Sequence, residues 1–288
     1  MDVAMQRNVP VLMTEYNSVA CGGSNISSTV SFSWLLSYLE SLNEFNVQFG
    51  AALWAIDVGL KAASMNYTAV YLHTREYGVQ YNLFDPPTPE DSISSGWRTG
   101  SPYYSALFLT EVGDPTGSVI VDLDLQNSTT DQSATIAGYG VYTDAGRRRD
   151  RLVILNYASP TSADEDAIQQ FHIPANLTHK VFCRILTAPD VTEKTNITWA
   201  GQTVGQNGDL EGEQQTSTID CKAGCSINVP GPGAALVWLD SEAKLFMGNS
   251  TIAPYQYSSN EMRGSILSDM TTWMTLAPVV FGTMAFVF

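Results

Sequence analysis

The stretch VPVLMTEYNSVACGG, residues 9–23, decides how the rest of the sequence is interpreted. Its first part, Val9–Met13, is continuously apolar, and such a run bounded by polar and glycine-rich sequence predicts a short buried strand. The apolar character stops abruptly, and Glu15 follows with Asn17 and Ser18 close behind it. A carboxylate at the tip of a buried strand, followed by polar side chains, is a candidate for a catalytic group.

The next elements place that strand in a fold class. Residues 49–64, FGAALWAIDVGLKAAS, have apolar positions every three or four residues and predict a helix; residues 69–72, AVYL, predict a second strand that ends at His73. Residues 102–112 begin with proline and predict another helix. Two parallel strands rarely stand alone, so this order predicts the C-terminal portion of a (β/α)8 barrel. Chemistry in such barrels lies at the C-terminal ends of the strands, the positions of Glu15 and His73.

The second half of the chain has a different pattern. Short runs rich in β-branched and aromatic residues are separated by Gly, Asn, Asp and Pro, which predicts an antiparallel β-sandwich. The runs are SVIVDLDL, AGYGVYTD, RLVILNY, KVFCRILTA, TNITWAG and GAALVWLD. The predicted division is therefore a partial barrel in residues 1–113, a β-sandwich in 114–243, a polar linker in 244–269 and a hydrophobic tail in 270–288.

Composition excludes one class of partner. The chain has 288 residues, a formal net charge of −15 and a pI near 4.4, so nucleic acid is not an expected partner, because a polyanion is bound by a basic face. The basic run at residues 147–151 is interpreted as a solvated hairpin tip, with a binding patch as the alternative.

Several features predict a secreted or cell-surface protein. Four cysteines allow three complete pairings, and Cys221 and Cys225 are close enough to close a small disulfide loop in an oxidising compartment. A zinc site at that pair is not expected, because none of the three histidines lies near it in the sequence. Six N-x-Ser/Thr sequons suggest glycosylation. They are at Asn25, Asn66, Asn127, Asn176, Asn196 and Asn249.

The two ends of the chain give conflicting indications about secretion. Residues 270–288 carry no charge and follow small residues and a short spacer, the layout of a GPI-attachment signal. The alternatives are a retained membrane anchor and a buried core helix. The N-terminal residues contain no run long enough for a signal peptide, so we expect that Met1 is not the true start.

The chain resembles the fungal β-glucuronidases of glycoside hydrolase family 79. The resemblance rests on TEYNSVACGG, FGAALWAIDVGLKAAS, the strand ending at His73 with YGVQYN behind it, WRTGSPYYSALFLTE and VPGPGAALVWL. It implies a (β/α)8 barrel with a β-sandwich at its side and retaining cleavage of terminal β-linked glucuronic acid. Glucuronic-acid-containing glycans are the implied partners, and no metal or organic cofactor is implied.

The resemblance also assigns roles to individual residues. Glu15, the glutamate of the TE-x-NS motif, corresponds to the nucleophile at the end of barrel strand seven. Asn17 and Ser18 either hydrogen bond to Glu15 and line the cleft or cap the turn after the strand, and His73 either shapes the sugar pocket or is a satisfied core histidine. The loop after it suggests contacts with the sugar carboxylate, with aromatic packing as the alternative. Its candidate residues are Tyr77, Gly78 and Tyr81.

Two departures from the family pattern limit the functional prediction. The general acid/base of the family lies in an Asn-Glu pair that precedes the nucleophile, but both Asn-Glu pairs of this chain, Asn43-Glu44 and Asn260-Glu261, lie after Glu15. Residues 32–48 form an apparent insertion, interpreted as a translated intron or as an extra amphipathic helix. We therefore expect the isolated chain to be inactive. The alternatives are a non-catalytic β-sandwich protein that binds carbohydrate or is wall-associated, and a glycosidase for a different sugar.

Overall fold

The structure is a computed structural model, and it describes residues 10–17, 49–74, 82–85, 98–113, 117–127, 134–143, 148–158, 160, 167–205, 208–239 and 283–287. The predicted insertion at residues 32–48 and the linker at 244–269 lie outside the described residues, as do residues 270–282 of the tail.

The described residues form two helices and sixteen strands. The helices are α1 (Phe49–Ser64) and α2 (Pro102–Val112). The strands are β1 (Leu12–Tyr16), β2 (Ala69–His73), β3 (Phe84–Asp85), β4 (Arg98–Thr99), β5 (Val119–Asp122), β6 (Ile136–Thr143), β7 (Arg148–Asn156), β8 (Gln169–Ile173), β9 (Lys180–Thr187), β10 (Thr198–Trp199), β11 (Thr203–Val204), β12 (Leu210–Glu211), β13 (Ser217–Asp220), β14 (Cys225–Val229), β15 (Gly233–Trp238) and β16 (Thr283–Val287).

Both predicted helices are confirmed with their bounds. In α1 the buried residues include Phe49, Leu53, Ile56 and Leu60, which recur at helical spacing and turn one face toward the core. The helix α2 has proline in its first turn, where the missing N–H group costs nothing.

The first sheet contains β1, β2 and β16 in that order. β1 runs parallel to β2, with Leu12 opposite Ala69, and β16 pairs with the other edge of β2 in the antiparallel direction. The prediction of a buried strand over Val9–Met13 is wrong in bounds and in burial. The strand spans Leu12–Tyr16, and only Tyr16 is buried. Leu12 and Thr14 are exposed, whereas Met13 packs partly buried against the main cluster and Tyr16 is buried, because the apolar run does not show which face of the strand the core covers.

The large sheet forms the centre of the β region. It contains seven antiparallel strands in the order β10-β9-β15-β7-β6-β5, with β13 also paired to β9. Side chains alternate between its two faces, as the pleat requires. Residues such as Val153 and Leu236 face the helices, whereas Ile154 and Val237 face the β8–β14 pair on the opposite side. The large sheet is therefore packed between a helical layer and a second, smaller β layer.

One hydrophobic cluster joins the helices to the large sheet. It includes Phe49 and Ile56 of α1, Phe108 of α2, and Tyr139 and Trp199 of the sheet. The rings of Phe108 and Trp199 lie 4.9 Å apart between centroids. The core is thus continuous across residue 113, where the sequence predicts the end of the partial barrel.

A loop of the β region holds the beginning of α1. The backbone N–H of Phe49 donates to the carbonyl oxygen of Glu193 at 2.8 Å, and that of Gly50 donates to the carbonyl of Val191 at 2.9 Å. The first N–H groups of a helix have no partner within the helix, so these bonds satisfy donors that would otherwise be left unpaired.

Two buried arginines anchor α2 to the sheet. Arg151 donates to the carbonyl oxygen of Val112 at 2.6 Å, and Arg184 donates to Glu111 at 2.6 Å. The interpretation of residues 147–151 as a solvated tip is therefore wrong for Arg151, whose side chain is 3% exposed. The reason is that β7 continues into the basic run, so its alternate side chains face the interior.

Candidate functional site

The ends of β1 and β2 bring two of the predicted site residues together. The Nδ1 atom of His73 lies 3.6 Å from Oε1 of Glu15. That separation is too long for a good hydrogen bond, but it gives an ion pair when the imidazole is protonated. The side chain of Glu15 is 66% exposed and that of His73 is 20% exposed. The carboxylate is therefore open to solvent, while the imidazole beside it is held by its surroundings.

Asn17 connects the two strand ends. Its side-chain amide donates a hydrogen bond of 2.9 Å to the backbone carbonyl oxygen of His73. The two residues are 56 positions apart in the sequence, so this bond fixes the loop after β1 against the end of β2. The position of His73, and with it the distance from the imidazole to Glu15, depends partly on this amide.

Tyr16 forms the support beneath Glu15. Its side chain points to the opposite face from that of Glu15 and packs on Trp54 of α1, with ring centroids 5.6 Å apart. Its hydroxyl is buried without a hydrogen-bond partner among the described residues, and burial raises the pKa of this phenol above its usual range. Trp54 is partly buried and packs against the main cluster. The end of β1 is thus anchored through an aromatic pair.

The other predicted substrate-binding residues cannot be placed around Glu15. Ser18, Tyr77, Gly78 and Tyr81 lie outside the described residues. Their roles stay predictions. So does the proposed glycosylation of Asn25 and Asn249, which also lie outside the described residues.

Three of the remaining sequons have exposed asparagines. These are Asn66 after α1, Asn176 between β8 and β9, and Asn196 before β10. The amide of Asn196 donates to the carboxylate of Glu193 at 3.1 Å. Asn127 ends a short 3₁₀ turn after β5. The exposed positions are compatible with glycan attachment, and modification itself stays a prediction.

The cysteines form one bridge in the β region. Cys221 and Cys225 are joined in a disulfide, with their Cα atoms 4.7 Å apart. Cys183 is a free, buried thiol, and its burial raises its pKa to about 12. A group raised that far holds its proton at neutral pH, so Cys183 acts as a small apolar side chain of the core.

Within the described ranges there is no cluster of three or more His, Cys, Asp or Glu side chains suited to a metal ion. Neither of the helices described here is both long and apolar enough to cross a membrane.

Residues 138–236 match the family described as the glycosyl hydrolase family 79 C-terminal beta domain. The resemblance to that family is confirmed. The matched residues run from β6 to β15 and so include the centre of the large sheet, the disulfide and the β8–β14 layer. No curated protein matches the chain in a sequence comparison.

Solved structures extend the similarity beyond the residues that match the family. The 4-O-α-L-rhamnosyl-β-D-glucuronidase of Fusarium oxysporum 12S superimposes with a TM-score of 0.61 at 24% identity, over 83% of this chain and 45% of that enzyme. The GH51 α-L-arabinofuranosidase of Thermotoga petrophila RKU-1 gives a TM-score of 0.51 at 11% identity, again over 83% and 45%.

At these identities the likeness shows the fold. The neighbours are (β/α)8 glycoside hydrolases, so the predicted fold class, the C-terminal portion of a (β/α)8 barrel followed by an antiparallel β-sandwich, is confirmed. The chain spans somewhat less than half the length of these two enzymes.

Proposed function

We propose that this chain is the C-terminal portion of a retaining β-glucuronidase-like glycoside hydrolase that acts on terminal β-linked glucuronic acid. Its glycoside hydrolase-like origin is shown by the family 79 match. The activity rests on one observation. The exposed carboxylate of Glu15 lies at the C-terminal end of a parallel strand, beside His73 at the corresponding end of the next strand. In barrels of this kind that edge carries the catalytic groups.

The proposed role of Glu15 is nucleophilic. Its carboxylate attacks the anomeric carbon and forms a glycosyl ester while the glycosidic oxygen leaves with a proton from an acid; water then hydrolyses the ester. Retaining hydrolysis needs the two carboxyl groups about 5 Å apart. We assign the acid/base to sequence that corresponds to the part of the relatives that this chain does not span. On its own, the chain is then expected to lack turnover.

His73 and Asn17 are proposed to position the nucleophile. When protonated, His73 forms an ion pair with the Glu15 carboxylate across 3.6 Å, which restrains the orientation of the nucleophile. Asn17 holds the His73 backbone through its 2.9 Å hydrogen bond. Ser18, Tyr77, Gly78 and Tyr81 are proposed to contact the sugar on the strength of the family resemblance.

The compartment is part of the same proposal. The disulfide of Cys221 and Cys225 and the exposed sequon at Asn176 support a secreted or cell-surface protein. Attachment through a GPI signal or a retained anchor in residues 270–288 is proposed from the uncharged tail. Cleavage or membrane insertion of this tail would remove β16 from its pairing with β2. Mass spectrometry of the C-terminal peptide of the native protein would test it: a peptide that retains Phe288 would exclude cleavage.

The deciding experiment uses the longest polypeptide that the native transcript encodes. Turnover of an aryl β-glucuronide is expected, and Glu15→Gly is expected to lower it by at least about a thousand-fold. Azide should restore turnover in this variant and give an α-configured glycosyl azide, because azide enters from the face that the carboxylate has vacated. The matched control is Glu44→Gln, which alters the Asn-Glu pair that follows the nucleophile and is expected to keep full activity. Undiminished activity in Glu15→Gly would exclude the proposed nucleophile.

A second candidate function is that of a non-catalytic protein that binds carbohydrate through its β region. The family match falls on this region, from β6 to β15. Binding of glucuronic-acid-containing glycans that survives Glu15→Gly, with no glycosidase activity in the longest native product, would support this candidate. Hydrolysis of a different β-glycoside in preference to the glucuronide would instead change the sugar assignment.

A further inference from the structure

Asp57 is a buried carboxyl at the junction of α1 and the large sheet. It is 7% exposed. The hydroxyl of Tyr139 on β6 donates a hydrogen bond to Asp57 Oδ1 and lies 3.3 Å from the Asp57 backbone oxygen. The hydroxyl of Tyr157, directly after β7, also hydrogen bonds to the Asp57 side chain and lies 3.5 Å from the carbonyl oxygen of Leu53. Two tyrosines from the sheet therefore meet one carboxyl from the helix.

The charges around Asp57 do not compensate a negative charge on it. Lys61 lies one turn further along α1, but its Nζ is 2.5 Å from Oδ2 of Asp122 on β5. Among the described residues, the titratable groups that act on Asp57 are Tyr139, Tyr157, Asp122 and Lys61. The only cation of this set is already paired with another carboxylate.

The hydrogen bonds at this site can form with either a neutral or an ionised carboxyl. A protonated Asp57 can donate to the oxygen of Tyr157, which in turn donates to Leu53, while Tyr139 donates to the remaining carboxyl oxygen. Both tyrosines can also donate to an ionised Asp57, so the two forms differ mainly in the cost of a buried, uncompensated charge. Burial is the largest effect on the pKa of Asp57 and raises it, while hydrogen bonds from Tyr139 and Tyr157 oppose the rise.

We propose that Asp57 is a proton-linked latch, which holds α1 on the β region more tightly at acidic than at neutral pH. This role does not depend on the proposed glycosidase activity. Below the ordinary pKa of aspartate both the folded and the unfolded chain carry the proton, and the latch adds no pH dependence. As the pH rises, the unfolded chain loses its proton first and stability falls, until the folded-state group ionises as well.

The test compares urea unfolding of the full chain and of Asp57→Asn between pH 3 and pH 8. Asparagine keeps the shape and a donor for Tyr157 but has no charge at any pH. The ratio of the wild-type unfolding constant to that of Asp57→Asn is expected to rise with pH from about 4, roughly tenfold for each pKa unit between the folded and unfolded states. The matched control is Asp209→Asn, an exposed carboxyl, which should follow the wild-type pH dependence. Parallel curves for wild type and Asp57→Asn would overturn the proposal.

Two further measurements keep the proposal testable if Asp57→Asn does not fold. Tyr139→Phe removes a donor that favours the ionised carboxyl, so the decline in stability should extend to higher pH. If Tyr139 acts through packing alone, Tyr139→Phe should lower the free energy of unfolding by the same amount at every pH. Carbon-13 NMR of the side-chain carboxyls in the full chain gives the titration directly, and titration of Asp57 at or below the ordinary aspartate range would exclude the latch.

Discussion

Strands β1 and β15 lie in very different surroundings. Of the five residues of β1, only Tyr16 is buried, whereas all six residues of β15 are buried. β15 is hydrogen bonded to β7 on one edge and to β9 on the other, and both of its faces are covered. β1 is paired with β2 alone among the described residues. Leu12 and Met13 of β1 are apolar and yet not buried, so the surroundings of a strand, as well as its own sequence, decide whether its apolar side chains are buried.

β15 supports the structure, whereas the end of β1 presents a chemical group to the solvent. Glu15 is exposed at the C-terminal end of β1, and an exposed carboxylate can meet a substrate. Every position of β15 is closed on both faces, so this strand can contribute only to packing. Variants in and around the two strands test this contrast between buried and exposed residues.

The largest loss of folding stability is expected from a leucine-to-alanine substitution in β15. The same substitution in β1 is the comparison. Leu236 of β15 is fully buried, and Leu236→Ala should cost about 2 to 5 kcal/mol through lost burial and the cavity left behind. Leu12 of β1 is 45% exposed, and Leu12→Ala should change the free energy of unfolding by no more than about 0.5 kcal/mol. Urea unfolding of both variants checks the contrast. Equal losses of stability in the two variants would mean that the side chain of Leu12 is as well covered as that of Leu236 in the folded protein.

The second effect concerns the pair of Arg184, which is buried, and Glu111, which is partly buried, between α2 and the large sheet. Arg184 bonds to Glu111, Thr216 and Gln214, and its guanidinium lies 5.5 Å from the centre of the Trp238 ring. Arg184→Met should cost about 3 kcal/mol at neutral pH, because it removes the cation bonded to the Glu111 carboxylate.

The stability loss of Arg184→Met should depend on pH, and this dependence tests the explanation. Burial already raises the pKa of Glu111 and Arg184 opposes the rise, so loss of Arg184 should raise it further. The variant should then lose less stability at pH 5 than at pH 7. Adding Glu111→Gln should recover part of the loss; no recovery would show that Arg184 contributes through packing alone.

The sequence predicted the helices better than the sheet edges. α1 and α2 have the predicted bounds because helical periodicity and an N-terminal proline are local signals. β1 was placed too early in the chain and was expected to be buried, because an apolar run does not reveal how many strands will lie beside it. The strands β8, β13 and β14 were not predicted, since their residues alternate with polar ones and carry a weaker signal.

Charged residues inside the protein were not predictable from the sequence. Arg184 and Glu111 are 73 positions apart, and Tyr139 and Asp57 are 82 apart, so only the fold brings each pair together. The proximity of Glu15 and His73 follows from the rule that parallel strands end at one edge, whereas the bond from Asn17 to the His73 backbone depends on the loop conformation after β1.

Asn17→Ala is expected to have a smaller effect on stability than on the candidate site. Loss of one partly buried hydrogen bond should cost about 1 kcal/mol. It should also release the His73 backbone, so that the imidazole no longer keeps its position near Glu15. Nuclear magnetic resonance of the histidine ring gives the check, with Asn66→Ala as a control for an asparagine at the other end of β2. Unchanged ring resonances of His73 would show that the β1–β2 ladder alone fixes the site.

The smallest effect on stability is expected at the loop of the β region that binds the beginning of α1 through Val191 and Glu193. The Glu193 carboxylate accepts hydrogen bonds from the backbone N–H groups of Lys194, Thr195 and Asn196, and these bonds lower the pKa of Glu193 to about 2. A lowered pKa means that the stabilisation is present above the ordinary glutamate range and is lost as the pH falls toward about 2.

Glu193→Gln should therefore weaken the loop at pH 6 and have little effect near pH 2. Because the carbonyl of Glu193 also accepts the Phe49 N–H, hydrogen exchange at the first turn of α1 should quicken in the variant at pH 6 while exchange in β15 stays unchanged. Exchange that quickens equally in both would mean that the first turn of α1 and the large sheet open together.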